Sequence, residues 1–201
     1  MTLDDFIFPD EIYVVDTETT GLDGAPHDVV VDIGICVAEF STGKVRDVYS
    51  SVVGYDITDW DDRRSKAWIF ENTDMELDMV AAAKPMEFIR GEVISILKDK
   101  GVTSYNIPFD MDKFLFRRPW DLYGVFTLRT DIMKAATDVC KLPSQFYGAK
   151  YRFPKLDHAY NTIVKGDPAN VCGKQDHRAL SDARMASYLM LQMFKDGNYA
   201  P

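Results

Sequence analysis

Apolar and polar positions along the chain fall into three regimes. In the first, Tyr13, Val14 and Val15 form an aromatic and β-branched run that predicts a strand near 11–16. A turn at Asp23-Gly24-Ala25-Pro26 leads to a strongly apolar second strand over 29–40, and Ser41-Thr42-Gly43-Lys44 turns the chain into a third over 45–53. Connections this short predict an antiparallel meander. The second regime, 54–84, is acidic and without clear period, with Asp56, Asp59, Asp61 and Asp62 grouped around Trp60. It reads as an insert: a lid, a partner surface or a helical excursion. In the third, Pro85 opens a helix with Phe88, Ile89, Val93, Ile96 and Leu97 at helical spacing and Gly101 as its stop. A short strand over 102–105, a helix opened by Asn106-Ile107-Pro108-Phe109-Asp110, a strand over 126–130 and helices over 131–140, 156–163 and 179–195 follow. Helix and strand alternating after residue 85 predict parallel strands added to the meander, hence an α/β sandwich.

Candidate chemistry sits at the end of the first strand. Side chains at i and i+2 of a strand share a face, so Asp16 and Glu18 point the same way. Two adjacent carboxylates at the end of a buried strand repel each other and lose solvation, and a divalent cation is the usual compensation. Thr19, Thr20 and Gly21 add hydroxyls and close backbone approach. In the last helix Asp182 shares the apolar face of Met185, Ala186, Leu189 and Met193. An acid directed into a core needs a partner. His177 precedes Asp182 by five residues, about 140° away on a continuous helix, which places it on the entering loop. Pro108 suits an early helical position, so Asp110 falls in a first turn, facing the positive end of the helix dipole. His27 and His158 have no acidic constellation around them.

Composition narrows the partners. At 201 residues the chain fits one compact domain over 1–201, with 46% hydrophobic and 27% charged residues. No window has the length of a transmembrane helix, so no membrane partner is expected. Residues 1–11 carry four acids and no base, unlike a signal peptide, so a cytoplasmic location is expected. Cys36, Cys140 and Cys172 are widely spaced and read as reduced thiols. The net charge of −9 is unevenly spread: −13 over residues 1–100 and +4 over 101–201. Lys113, Arg117 and Arg118 interleave with Phe109 and Phe114, and Lys150, Arg152 and Lys155 with Tyr151 and Phe153. Bases mixed with aromatics suit a single strand held locally, not a wrapped duplex.

Three stretches then resemble one family. Asp16-Thr17-Glu18-Thr19-Thr20-Gly21-Leu22, Asn106-x-x-Phe109-Asp110 and His177-x-x-x-x-Asp182 are similar to the three motifs of the DEDDh 3′–5′ exonucleases, which include proofreading subunits, ribonuclease T and oligoribonuclease. Tyr151-Arg152-Phe153-Pro154-Lys155-Leu156 resembles the segment these enzymes place before the third motif. The resemblance spans about 11–195. Arg178 stands four residues before Asp182, so the tyrosine variant of the family does not fit.

The resemblance implies a ribonuclease-H-like fold: a mixed five-stranded sheet, three antiparallel strands plus parallel ones, flanked by helices. It implies that Asp16, Glu18, Asp110 and Asp182 hold two Mg²⁺ or Mn²⁺ ions, with Asp16 shared between them, and that His177 is the general base toward the attacking water. Thr17, Thr19, Thr20, Leu22, Asn106 and Phe109 would bind the last nucleotide of a free single-stranded 3′ end, releasing nucleoside 5′-monophosphates. DNA is the favoured substrate. An exoribonuclease acting on RNA or oligoribonucleotides, and a subunit docked on a polymerase or another protein through 54–84 with Trp60 and Trp68, are the alternatives.

Overall fold

The computed structural model describes residues 9–145, 147–164 and 176–201. Three antiparallel strands open the fold: β1 (Glu11–Thr19), β2 (Val30–Glu39) and β3 (Lys44–Val52). Then come three short helices, α1 (Asp62–Ser65), α2 (Trp68–Asn72) and α3 (Leu77–Ala82), and the longer α4 (Met86–Leu97). β4 (Gly101–Ser104), a π-helix over Pro108–Leu115, β5 (Thr127–Leu128), α5 (Ile132–Cys140), α6 (Leu156–Ile163) and α7 (Ala179–Lys195) complete it. The sheet order is β3-β2-β1-β4-β5, with β4 parallel to β1 and β5 parallel to β4. This is the expected mixed five-stranded sheet.

Both faces of the sheet are covered, and the strand period sorts side chains between them. Ile12 and Val14 pack with Met185, Leu189 and Met193 of α7, while Val15, Ile33 and Ile35 pack with Ile89, Val93 and Leu97 of α4. Asp16 and Glu18 continue the Ile12–Val14 row and so face α7. Covered on both sides, β2 is buried from Val30 to Ala38, which explains an apolar run interrupted by one acid, Asp32. Gly34, opposite Asp16 in the ladder, allows α7 to approach: a Cβ there would lie 2.2 Å from the Leu180 amide nitrogen.

Several expectations need adjustment. β1 runs three residues beyond the expected 16, so Glu18 belongs to the strand, and the ladder register slips at Glu18/Thr19 as the chain leaves the sheet. The buried stripe of α4 is Met86, Ile89, Val93 and Leu97, at helical steps of three and four; Phe88, one position off it, is 66% exposed. The expected 126–130 strand pairs only over Thr127–Leu128, at the sheet edge. The 54–84 segment holds α1–α3, anchored by buried Ile69, Met75 and Val80. Among the described residues, no helix is long and apolar enough to cross a membrane. Cys36 is a buried free thiol and Cys140 a partly buried one; Cys172 lies outside the described residues.

Candidate active site

Parallel pairing of β1 with β4 brings their carboxyl ends side by side, so the first acids and the helix that follows β4 meet at one edge. The Thr17 hydroxyl donates to Asp110 Oδ1 at 2.7 Å across that edge. Asp110 lies in the first turn of the π-helix, whose entry is fixed by Pro108 and by the Asp110 amide donating to the Asn106 carbonyl at 3.0 Å. Asp182 comes in from the other side, buried in the first turn of α7. His177 lies on the loop entering α7, as expected, with a left-handed φ of +56°. A carboxyl oxygen of Glu18, one of Asp182 and a ring nitrogen of His177 lie within 4.8 Å of one another.

The electrostatics of this cluster are unfavourable in isolation. Burial, followed by the charges of Asp110, Asp182 and Glu18, holds the Asp16 carboxyl well above its usual range. Burial and then the Asp182 charge push Glu18 up to about 9, against a weak opposing pull from Arg178. Burial pushes Asp110 up to about 6, although hydrogen bonds from Thr17 and Ser104 work in the other direction. Crowded, desolvated carboxylates whose charged forms are disfavoured form an all-oxygen donor set, and that suits a hard divalent cation. The residues present therefore fit the metal ions that the motifs imply.

Beside the acids lies a cavity of about 470 Å³ lined by Thr17–Leu22, Trp68, Ile69 and Phe109. It adjoins a cleft of about 770 Å³ to which Asn106, Phe153, Lys155 and His177 contribute. Thr19 donates to the Gly21 carbonyl at 2.8 Å, and the Thr20 hydroxyl accepts from the Val29 amide at 3.0 Å, so both hydroxyls shape the loop. Leu22 projects from that loop, 72% exposed. Phe109 packs edge-on against Phe114, with Lys113 Nζ 5.8 Å from its ring centre. All six expected nucleotide contacts thus line the two cavities. The basic clusters divide: Lys155 reaches the cleft, whereas Lys113 donates to the Leu22 carbonyl at 2.6 Å and Arg117 to the Asp112 carbonyl at 2.8 Å.

Three features escaped the motif reading. Asp32, almost fully buried on β2, accepts from Arg178 Nε at 2.9 Å and from the Ala179 amide at 3.2 Å, clamping the start of α7 beside Glu18. A single charge inside the apolar run of β2 was the available signal. Arg63 of α1 grips buried Asp28 through Nε at 3.2 Å and a terminal nitrogen at 3.1 Å, and Arg64 donates to the carbonyls of Pro26 and His27. These bonds tie 54–84 to the loop that carries Leu22. Trp68 then extends from that segment into the site, perpendicular to His177 with ring centres 5.1 Å apart.

No protein-family model matches the chain. Its sequence is 25% identical over 194 residues to the PolC-type DNA polymerase III of Bacillus cereus, which covers 94% of this chain but only 12% of that protein. Among solved structures, it is similar to a full-length 3′-exonuclease (TM-score 0.67, 17% identity), covering 94% of this chain and 62% of that one. The nuclease domain of 3′hExo, a DEDDh family member bound to rAMP, matches with TM-score 0.67 and 18% identity over 95% of this chain and 94% of its own. Exonuclease I of E. coli in complex with a dA16 oligonucleotide matches with TM-score 0.63 and 12% identity over 93% and 41%. The chain has the fold of the DEDDh 3′-exonucleases.

Proposed function

We propose that the chain is a metal-dependent 3′–5′ exonuclease that hydrolyses the terminal phosphodiester of single-stranded nucleic acid, DNA before RNA, releasing nucleoside 5′-monophosphates. The observation that carries this reading is the convergence of Asp16, Glu18, Asp110 and Asp182 with His177 beside a nucleoside-sized cavity. The shared fold supports it. Two Mg²⁺ or Mn²⁺ ions held by the four carboxylates would supply Lewis acidity and neutralise charge at the scissile phosphate. His177 removes a proton from the attacking water through a ring nitrogen, which can accept a proton and release it again. Leu22 and Phe109 hold the terminal nucleoside, and Asn106 lines the adjoining cleft.

The similarity to a small part of a polymerase favours a second reading of context, not of chemistry: proofreading beside a polymerase. A digestion panel separates substrates. End-labelled single-stranded DNA should be shortened faster than duplex DNA, RNA or dinucleotides, each with Mg²⁺. RNA or dinucleotides consumed at least tenfold faster than DNA would reassign the enzyme as an exoribonuclease.

A further inference from the structure

Most of the second basic cluster lies outside the two cavities, and the chemistry makes no use of it. Between 141 and 155 the chain has four bases, Lys141, Lys150, Arg152 and Lys155, and no acid. Elsewhere cations are engaged: Arg46, Arg63, Lys66, Lys84, Arg178 and Arg184 each pair with a carboxylate. Among the described residues, none of the four bases in this stretch has an ion-pair partner, and all four are exposed. Unpaired like charges on one loop raise the local positive potential. The loop therefore attracts an anion that residues 1–100, at a net −13, repel.

The loop also has a defined shape. It folds back through a bridge between Pro143 and Tyr151 and through the Arg152 amide, which donates to the Leu142 carbonyl at 2.9 Å. Its returning arm is rooted in the core: the Tyr105 hydroxyl donates to the Pro154 carbonyl at 2.8 Å, and Pro154 and Leu156 are buried. Phe153 and Lys155 of that arm line the cleft shared with Asn106 and His177. From there the arm runs outward through Arg152 and Lys150. Aromatic rings accompany the bases. Phe153 is 58% exposed, Lys150 Nζ lies 5.0 Å from the Tyr151 ring centre, and Tyr147 near the tip is fully exposed.

We infer that the 141–155 loop is a second binding site, for the backbone of a single strand upstream of the nucleotides held in the cavities. Its free cations suit phosphates, and its continuity with the cleft puts it on the path of a strand whose end is at the acids. An acidic peptide would match the charge but not the exposed rings, on which nucleobases stack. The inference rests on the proposed exonuclease reading for the direction of the strand. It adds that long strands are preferred to short ones.

The test measures binding of a labelled thymidylate trimer and a strand of about 20 nucleotides, longer than one such site covers. It is run in EDTA across a range of salt, for wild type, Lys150→Gln/Arg152→Gln and the charge-preserving Lys150→Arg/Arg152→Lys. Wild type should bind the long strand at least about tenfold more tightly than the trimer, with an affinity that falls as salt rises. The glutamine variant should lose most of that preference and leave trimer binding unchanged. Its salt slope for the long strand should be smaller by about 1.4, two contacts at about 0.7 each. The charge-preserving variant should behave as wild type. Equal affinities and slopes for wild type and the glutamine variant overturn the inference, as does a wild type without length preference. Polyglutamate that displaces the long strand as well as unlabelled thymidylate of equal charge also overturns it, marking a general polyanion contact. No shortening of any strand in Mg²⁺ overturns the exonuclease reading instead, because binding in EDTA is read without cleavage.

Discussion

Asp16→Asn should make the metal-free protein more stable, remove most of its thermal response to metal, and lower activity by about 10³-fold or more. The stability gain follows from the crowding of Asp110, Asp182 and Glu18 around the Asp16 carboxylate at the end of β1. The asparagine keeps the shape and removes one of four like charges from a poorly solvated site. Cations held by these carboxylates would bind only the folded site, so Mg²⁺ or Mn²⁺ at a hundred times Kd should add about 2.7 kcal/mol to wild-type stability. For a chain of this length that is roughly 5–10 °C in Tm. The activity loss would reflect several kcal/mol of transition-state stabilisation that bound ions would supply, with each 1.36 kcal/mol worth tenfold.

The sign of the accompanying pH dependence is fixed by Glu18. Its folded carboxyl lies at about 9 against the usual 4.5, so the folded state keeps a proton that the unfolded chain releases. That contribution to metal-free stability is fully present below 4.5 and is lost as pH rises through about 9. Melting curves of both proteins in EDTA and in metal, between pH 5 and 9, should therefore show wild type in EDTA falling with pH and the mutant falling less. A mutant that melts lower in EDTA and gains as much from metal as wild type would make Asp16 an ordinary structural acid.

His177→Ala should reduce kcat by about 10²–10⁴, the span for removing a general base, and leave the metal-induced rise in Tm in place. The second readout matters because His177 also comes within ligand distance of Glu18 and Asp182. If the imidazole were a cation ligand, its removal would reduce the melting response together with the rate. Full rate in the mutant would leave His177 without a chemical role.

Much of this site was legible because periodicity fixes direction. The i, i+2 spacing of Asp16 and Glu18 and the apolar stripe of Met185, Ala186 and Leu189 around Asp182 both determine which way an acid points. Local rules suffice for that. Asp32 was not legible as a clamp because its partners, Arg178 and Ala179, lie almost 150 residues away and are brought close only when Gly34 admits α7. Trp68 begins a helix of five residues, too short for a period to show its exposed side. Its direction is set instead by the ion pair of Arg63 with Asp28 and by the burial of Ile69. The π-helix posed the same difficulty: Pro108 announced a helix start, but the wider turn appears only in bonds such as the Phe116 amide to the Met111 carbonyl at 2.8 Å.

The central claim is cleavage from a free 3′ end that depends on a divalent cation. It is tested most directly by incubating one thymidylate strand in two forms, linear with a 5′ label and covalently closed into a circle, with Mg²⁺ and with EDTA. The account predicts a ladder of linear products shortened one nucleotide at a time in Mg²⁺, none in EDTA, and an intact circle in both. Cutting of the circle at a rate comparable to the linear strand, or a ladder that persists in EDTA, would contradict it.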